Sequence, residues 1–333
     1  MKALVYAEYG SAEVLQLKEI AKPTPGPDEV LIKIAAAAIN EWDWAMLQGV
    51  PFANRLMSGI RRPGITVLGA DVAGTIEAVG ENIVNLKPGD QVFGDLSKNK
   101  QGDEMKYLGG GFAEYVCSSE VGLRQVPNYL NFVQAASLPQ AGALAVQGLQ
   151  QAFPIQSGQK LLINGASGGV GTLALQIARY LGAEITGVCS ADKLEFVRLL
   201  GAHKVIDYRK EDFTRHHHSY DVILDVKGFH SVFDCRRALK SGGRYIMLGG
   251  GSARTMQALV LGSLLTVLSN KKSKLLIYKP NKGIDYLLEL IRDGKVKPVV
   301  DRTFSLPQGI EAFRYYGEGK SRGKVVFDLR QDN

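Results

Sequence analysis

The chain has 333 residues, long for one domain and sufficient for two at about 100–200 residues per domain. With 45% hydrophobic and 22% charged residues, its composition excludes a disordered chain and an integral membrane protein. The net charge of +7 comes from 40 basic and 33 acidic residues spread along the chain, which favours an anionic small ligand over nucleic acid.

The cysteines and the apolar segments indicate the cellular compartment of the protein and whether it crosses a membrane. The three cysteines lie far apart with no CxxC pair, so the sequence predicts neither a disulfide framework nor a zinc ribbon. The chain starts directly with a strand pattern, without a signal-peptide core, so we expect a cytoplasmic protein. The longest apolar stretch, Met256 to Leu268, has about 13 residues where a membrane-spanning helix needs about 20. We therefore expect no membrane partner and no nucleic-acid partner.

The first 127 residues predict an irregular, mostly β domain. Short apolar or alternating runs are separated by glycine, proline and turn residues such as those at 85–90. The predicted strands are Lys2–Tyr6, Glu29–Ala36, Val72–Val79, Gln91–Phe93 and Phe112–Cys117.

The pattern changes near Pro127, where helical periodicity begins, and from Lys160 onward strands alternate with amphipathic helices. The predicted strands here are Leu161–Asn164, Glu184–Val188, Lys204–Ile206, Asp221–Asp225 and Arg244–Leu248. Apolar strands joined by crossover helices indicate a parallel, doubly wound α/β sheet. A helix at Gly283–Arg292 and strands at Val299–Thr303 and Lys324–Phe327 close the chain.

Two domains follow from this order of elements. Residues 1–127 and 281–333 form one mostly β domain, and residues 128–280 form a nucleotide-binding domain inserted into it. A cleft between two such domains is the expected place for a ligand.

The glycine-rich segment Asn164–Gly171 follows an apolar strand and precedes an amphipathic helix, the context of a dinucleotide-binding loop. Ala166, Gly168 and Gly171 occupy the three motif positions, so an alanine replaces the first glycine. Gly168 lets the backbone approach a pyrophosphate, and Gly171 lets the helix pack on its strand. The pyrophosphate would lie at the helix N-terminus. The cofactor-binding loop is Ala166, Ser167, Gly168, Gly169 and Val170.

The next strand distinguishes NADPH from NADH. An NAD site places an acidic residue about 20 residues after the glycines, where it binds the ribose 2′-hydroxyl. Here the strand ends at Cys189 and is followed by Ser190, with Lys193 four positions after Cys189. A serine and a lysine suit a 2′-phosphate, which favours NADPH. Asp192 remains a competing interpretation, in the loop beyond the strand end.

Further segments carry a family resemblance over essentially the whole chain. They are residues 69–74, 84–93, 110–115, 201–208, 294–301 and 322–326, together with the glycine loop. On these segments the sequence resembles the zinc-free quinone oxidoreductases, the zeta-crystallin-like group of the medium-chain dehydrogenase/reductase superfamily.

The resemblance implies a doubly wound parallel Rossmann sheet inserted into a mostly β, GroES-like catalytic domain. It implies that Ser190, Lys193 and Tyr208 surround the 2′-phosphate and that Leu248 and Gly249 face the nicotinamide. Lys324 is a weaker candidate for cofactor contact. The family also implies a homodimer, often formed by edge strands of the nucleotide domains.

The zinc-dependent members of the superfamily carry a cysteine and a Gly-His-Glu segment where this chain has Asn40 and Gly69-Ala70-Asp71. A catalytic zinc needs three protein ligands. The sequence therefore predicts no metal.

The candidate substrate residues are Asn40 and Trp44. The Asn40 amide could hold a substrate carbonyl or a ribose hydroxyl, or satisfy buried backbone groups. Trp44 could stack on a flat substrate or belong to the core. We expect Asp71 to have a structural role and the tract His216–His218 to lie in a solvated loop.

The predicted activity is NADPH-dependent hydride transfer to a quinone or an α,β-unsaturated carbonyl without zinc. Positioning and hydrogen bonds to the developing oxyanion would carry the rate, and water could supply the proton. Two alternatives remain open. One is an enoyl-thioester reductase, whose acyl channel the apolar stretch 256–268 could line. The other is a protein that binds NADPH and catalyses nothing.

Overall fold

The computed structural model describes residues 1–97, 109–251, 253–258, 260 and 269–332. The chain forms two compact units. The terminal unit contains Met1–Gln140 and Val300–Asn333, and the central unit contains Ala141–Val299. Within the described residues, none of the helices has the length and apolar character required to cross a bilayer.

The strands of the described residues are numbered in chain order. They are β1 (Lys2–Val5), β2 (Gln16–Glu19), β3 (Glu29–Ala38), β4 (Asp71–Val79), β5 (Gln91–Asp95), β6 (Tyr115–Ser119), β7 (Leu123–Gln125), β8 (Lys160–Asn164), β9 (Glu184–Cys189), β10 (Lys204–Asp207), β11 (Tyr220–Asp225), β12 (Leu239–Met247), β13 (Lys272–Leu275), β14 (Val300–Phe304) and β15 (Lys324–Asp328).

The helices are numbered in the same way. They are α1 (Glu41–Gln48), α2 (Phe52–Ser58), α3 (Phe132–Ala136), α4 (Pro139–Val146), α5 (Gly169–Tyr180), α6 (Leu194–Leu199), α7 (Val232–Ala238), α8 (253–258), α9 (Ile284–Arg292) and α10 (Gly309–Gly317). A π-helical turn, Gln147–Ala152, continues α4.

The terminal unit is built on a seven-stranded sheet in the order β14-β15-β3-β4-β5-β7, with β6 also paired to β3. The central strand β3 is buried along most of its length because strands pair with it on both sides. Its last residue, Ala38, pairs with Asp71 of β4 and with Val326 of β15. Asp71 in turn pairs with Asp95 at the end of β5. This register brings polar residues from the ends of four strands, β3, β4, β5 and β15, together at one end of the sheet.

The central unit contains a six-stranded, fully parallel sheet in the order β10-β9-β8-β11-β12-β13. The order reverses between β8 and β11, as in a doubly wound dinucleotide-binding fold. The predicted fold class is confirmed. Ligands of such sheets bind at the carboxyl ends of the strands near this switch point, where the glycine loop leaves β8.

The units divide at Gln140/Ala141 and Val299/Val300, later in the chain than the domain boundaries proposed from sequence. Contacts of the two flanking helices account for the difference. Helix α3 packs on β3 and β4, which assigns it to the terminal unit. Helix α9 packs on α4 so closely that a Cβ at Gly142 would lie 2.3 Å from Leu287. It therefore belongs to the central unit.

Candidate functional site

The glycine loop after β8 is tied to the end of β9 and leaves the N-terminus of α5 open. The amides of Gly165 and Ala166 both donate to the Val188 carbonyl, at 3.1 and 3.0 Å. No side chain caps α5 at Gly168, and its first turn has no acidic residue. The positive end of the helix dipole can therefore accept an anion.

The two motif glycines have different physical roles. A Cβ at Gly171 would lie 2.2 Å from the Gly165 carbonyl oxygen, so only glycine lets α5 start this close to the loop. A Cβ at Gly168 would meet nothing nearer than that same oxygen at 3.7 Å. The backbone at Gly168 is thus unobstructed on this side, as the close approach of a pyrophosphate requires.

Ala166, at the first motif position, is accommodated by a glycine on the neighbouring strand. A Cβ at Gly187 of β9 would lie 3.2 Å from the Ala166 Cβ and 2.6 Å from Val197. The absence of a side chain at Gly187 therefore leaves room for the Ala166 methyl group.

Asp225, at the end of β11, is buried beside the glycine loop and binds several of its neighbours. The sequence analysis missed this residue. Its carboxylate accepts hydrogen bonds from the Asn164 amide (2.8 Å), the Tyr245 hydroxyl (3.0 Å) and the Gly228 backbone amide (2.8 Å). Its carbonyl accepts from Leu248 at 2.8 Å, which fixes the predicted nicotinamide-side residues to the sheet. An aspartate directly after an apolar strand next to the switch point was the signal available in the sequence.

The residues predicted to bind the 2′-phosphate converge at the ends of β9 and β10. The Tyr208 amide donates to the Cys189 carbonyl at 3.2 Å, which places Tyr208 beside Ser190. Tyr208 is exposed, whereas Lys193 is only 4% exposed. Lys193 therefore is not a solvated lysine of the helix start. The competing Asp192 lies exposed on the 3₁₀ turn Ala191–Lys193.

The structure adds Arg209 to this group. Its guanidinium lies 5.6 Å from the centre of the Tyr208 ring, and its backbone amide donates to Asp207 at 3.1 Å. Sequence reasoning stopped at Tyr208, although the arginine follows it directly. A hydroxyl, an ammonium and a guanidinium on two adjacent strand ends fit a 2′-phosphate better than a free 2′-hydroxyl.

In the terminal unit, the polar residues at the strand ends surround a buried lysine, Lys324. The Lys324 ammonium donates to the Ile39 carbonyl at 3.0 Å and to Asn40 Oδ1, and lies 3.6 Å from Asp71 Oδ2. Burial raises the pKa of Asp71. The Lys324 ammonium acts to lower that pKa, and the Asp95 carboxylate acts to raise it. Burial likewise lowers the pKa of Lys324. Because the ammonium is engaged inside this unit, a contact between Lys324 and the cofactor remains a prediction.

Asp71 and Asp43 hold the surrounding backbone, as expected of structural aspartates. Both Asp71 oxygens accept from the Gln140 amide at 3.2 Å. The Asp43 carboxylate accepts from the backbone N–H of Asn40 at 2.8 Å and from the backbone N–H of Gly69 at 2.9 Å, which fixes the start of α1.

The Asn40 side chain is the candidate donor of the terminal unit. Lys324 holds its amide oxygen. Its buried Nδ2 makes no hydrogen bond of good geometry among the described residues, although it lies close enough to Asp71 to lower the pKa of that carboxyl. A buried donor left unpaired costs about 1–3 kcal/mol, so its retention is explained if a ligand accepts the bond.

The oxygens at the position of the zinc site in the superfamily's zinc-dependent members do not fit a zinc ion. The Ile39 carbonyl, Asn40 Oδ1 and Asp71 Oδ2 already surround the Lys324 ammonium, and neither Gly69 nor Ala70 offers a side-chain ligand. Zinc prefers Cys and His donors and would have to displace a fixed cation. We therefore derive no step through a metal.

Trp44 lies in the packing of α1 against α10. Its ring stacks on Phe313 at a centroid distance of 6.4 Å, and a Cβ at Gly317 would lie 2.4 Å from it. The structure therefore supports the core interpretation of Trp44 over stacking on a substrate.

The histidine tract lies on the central unit away from the glycine loop. His216 is fixed between Glu211 (2.7 Å) and the Tyr220 hydroxyl (2.9 Å), and His217 and His218 are exposed. In the part of the chain that the structure describes, no group of three or more His, Cys, Asp or Glu is placed to hold a metal ion.

Comparison with known proteins gives two family models and close relatives over the full length. A family described as "Alcohol dehydrogenase GroES-like domain" matches residues 26–128, and one described as "Zinc-binding dehydrogenase" matches residues 200–327. A 2-methylene-furan-3-one reductase of Solanum lycopersicum is 34% identical over 98% of this chain and 78% of its own. An Arabidopsis thaliana chloroplastic NADPH-dependent alkenal/one oxidoreductase is 35% identical over 98% of this chain and 79% of its own.

Among solved structures, the quinone oxidoreductase from Coxiella burnetii has a TM-score of 0.85 with this chain at 29% identity, covering 99% of both chains.

Proposed function

The chain belongs to the zinc-free quinone oxidoreductase family of the medium-chain dehydrogenase/reductase superfamily, and we propose that it transfers a hydride from NADPH to a quinone or an α,β-unsaturated carbonyl. One observation carries the proposal. The dinucleotide loop is intact and open, while the oxygens at the zinc position of the superfamily's zinc-dependent members surround a lysine ammonium.

In the proposed mechanism, bound NADPH supplies the hydride, and the protein supplies binding and orientation. The α5 N-terminus would hold the pyrophosphate, and Ser190, Lys193 and Arg209 would hold the 2′-phosphate. The Asn40 Nδ2 donates a hydrogen bond to the acceptor's carbonyl oxygen, where negative charge develops. Lys324 keeps the Asn40 amide in the one orientation that leaves Nδ2 available. Water supplies the proton.

The test is the loss of NADPH absorbance at about 340 nm, a property of the reduced cofactor, with a panel of acceptors. The panel contains a quinone, an enone, a crotonyl thioester and a simple aldehyde, each with and without a chelator. We expect chelator-insensitive oxidation with the quinone or enone. Chelator-sensitive aldehyde reduction would contradict the zinc-free mechanism. Tight NADPH binding with no acceptor reduced would favour a binding protein.

Two variants separate the role of Asn40 from general damage. Asn40→Ala removes the proposed donor, and Asn85→Ala removes an exposed amide bonded to Glu120 as a control. We expect the first to lower kcat/KM by about 100-fold, the typical value for one oxyanion donor, with the second unchanged. Equal activity of both variants would exclude Asn40.

The enoyl-thioester alternative depends on the stretch 256–268, of which residue 259 and residues 261–268 lie outside the described residues. No observation on the described residues favours it. A crotonyl thioester turned over faster than a free enone would nevertheless establish it.

We also propose a cytoplasmic homodimer. The edge strand β13 pairs only with β12 among the described strands, so its other side can pair with a second copy. The three cysteines are unpaired, as in a reducing compartment. Light scattering coupled to size exclusion tests the dimer, and cell fractionation tests the location.

A further inference from the structure

Helix α2 in the terminal unit has an inverted amphipathic pattern. It buries the polar residues Asn54 and Ser58 and exposes Phe52 (60%), Leu56 (64%) and Met57 (53%). Phe52 and Leu56 are four residues apart, so they lie on one face of the helix. A surface helix ordinarily turns its apolar face to the core. Here the apolar face is the exposed one.

The exposed apolar surface extends beyond the helix on both sides. Val50 before it and Ile60 after it are each 58% exposed. We call Val50, Phe52, Leu56, Met57 and Ile60 the α2 patch. Single exposed apolar residues are normal on a protein, but a contiguous group marks an interaction surface.

Polar contacts hold the α2 patch in this orientation. The Asn54 amide donates to the Val50 carbonyl at 3.1 Å, and the Ser58 hydroxyl accepts from the Ile65 amide at 3.3 Å. The Arg55 guanidinium lies 4.7 Å from the centre of the Tyr9 ring. The buried polar residues therefore anchor the helix, and the apolar side chains are left for a partner.

The charge on the segment that carries the α2 patch has one sign. Between residues 49 and 70 the sequence contains three arginines and no aspartate or glutamate. Arg61 and Arg62, directly after the patch, are exposed. Apolar side chains bordered by cations complement an anionic lipid surface, where the apolar groups enter the headgroup boundary and the cations meet phosphates.

We propose that the α2 patch binds the surface of an anionic lipid bilayer, with Arg61 and Arg62 against the lipid phosphates. The binding is peripheral and reversible because the helix has only two turns. The sequence analysis expected no membrane partner because it considered spanning segments, and the inverted pattern is visible only once burial is known. This inference does not depend on the proposed reaction.

Vesicle flotation of the full chain tests the proposal. Vesicles of phosphatidylcholine alone are compared with vesicles of phosphatidylcholine and phosphatidylglycerol in equal parts. We expect binding to the anionic vesicles that weakens as salt is added, since exposed charges are screened. No binding to either vesicle would overturn the proposal, and equal binding to both would overturn the role of the arginines.

Variants at exposed positions identify the surface. Leu56→Asp with Met57→Asp should abolish flotation, whereas Leu199→Asp, at a 74% exposed leucine of the central unit, should not change it. Arg61→Gln and Arg62→Gln should each weaken binding about fivefold. Loss of flotation in the Leu199 control would overturn the assignment to α2.

The same variants distinguish a lipid-binding surface from a dimer interface and from the active site. If the α2 patch joins two copies of the chain, Leu56→Asp with Met57→Asp will convert a dimer to a monomer and neither wild type nor variant will float, which overturns the proposal. NADPH oxidation with a water-soluble quinone should be unchanged in these variants. Wild-type protein that floats but reduces no acceptor would refute the proposed reaction and leave the lipid surface intact.

Discussion

Replacing Lys324 by methionine tests the buried polar cluster most directly. The substitution keeps the length of the side chain but removes the ammonium that donates to Ile39 and Asn40 and lies 3.6 Å from Asp71. Removing one partner of a buried ion pair costs about 3–5 kcal/mol, because the other charge stays buried. For a unit of this size, such a loss lowers the melting temperature by about 6–20 °C.

The loss should depend on pH. Burial already raises the pKa of Asp71 above the ordinary value of an aspartate, and without the ammonium that pKa rises further. Between the unfolded and folded pKa values the folded protein binds more protons than the unfolded chain, so stability falls as pH rises through this window. Lys324→Met should therefore be more damaging at about pH 8 than at about pH 5.5.

Urea unfolding followed by tryptophan fluorescence measures this effect. Both tryptophans, Trp42 and Trp44, lie in α1, so the signal reports the terminal unit. Lys320→Met is the control, since among the described residues the exposed Lys320 pairs only with Glu318, at 2.6 Å, and its loss should cost less than about 1 kcal/mol. A deficit below about 1 kcal/mol for Lys324→Met, or an equal deficit at both pH values, would refute the reasoning.

Gly168→Ala should weaken NADPH binding at least about tenfold in a fluorescence titration while the melting temperature stays the same, because the new methyl would make only an ordinary 3.7 Å contact with the Gly165 carbonyl oxygen. Gly171→Ala should lower the melting temperature as well, because its methyl would lie 2.2 Å from a backbone oxygen, and an unchanged melting curve would contradict this contact. Lys193→Ala should weaken NADPH about tenfold and leave NADH unchanged, and parallel losses would argue against a phosphate contact. Burial raises the pKa values of Cys117 and Cys189 to about 11, so alkylation at about pH 8 should be about 100-fold slower than in the unfolded chain; rapid native labelling would contradict this burial.

The sequence predicted the central unit well because its strands are apolar runs whose burial depends only on sheet formation. Its edge strand β13 was missed. Lys272–Leu275 alternates lysines with smaller residues and resembles a solvated charge run. It is a strand because β12 offers a row of backbone partners along its length. The pairing depends on β12, so the sequence of Lys272–Leu275 alone does not predict it.

The parts of the candidate site whose residues are close together in the sequence could be predicted. The glycine loop and the end of β9 are continuous segments, and their residues lie together in the structure. The cluster around Lys324 was not predictable from pattern, because Asn40 and Lys324 are 284 residues apart and meet only through the pairing of β3 with β15. The role of Trp44 depends on α10 in the same way, since a glycine at position 317 makes room for the ring.

The pairing of β3 with β15 also affects synthesis of the protein. Lys324 leaves the ribosome 253 residues after Asp71, roughly 13–51 s later at about 5–20 residues per second. Before that interval ends the central unit is already complete, while β3 still lacks its neighbour β15 and the Asp71 carboxylate lacks its counter-ion. The nascent chain therefore carries one finished unit and one unfinished sheet, which chaperones can bind until the last strand is made.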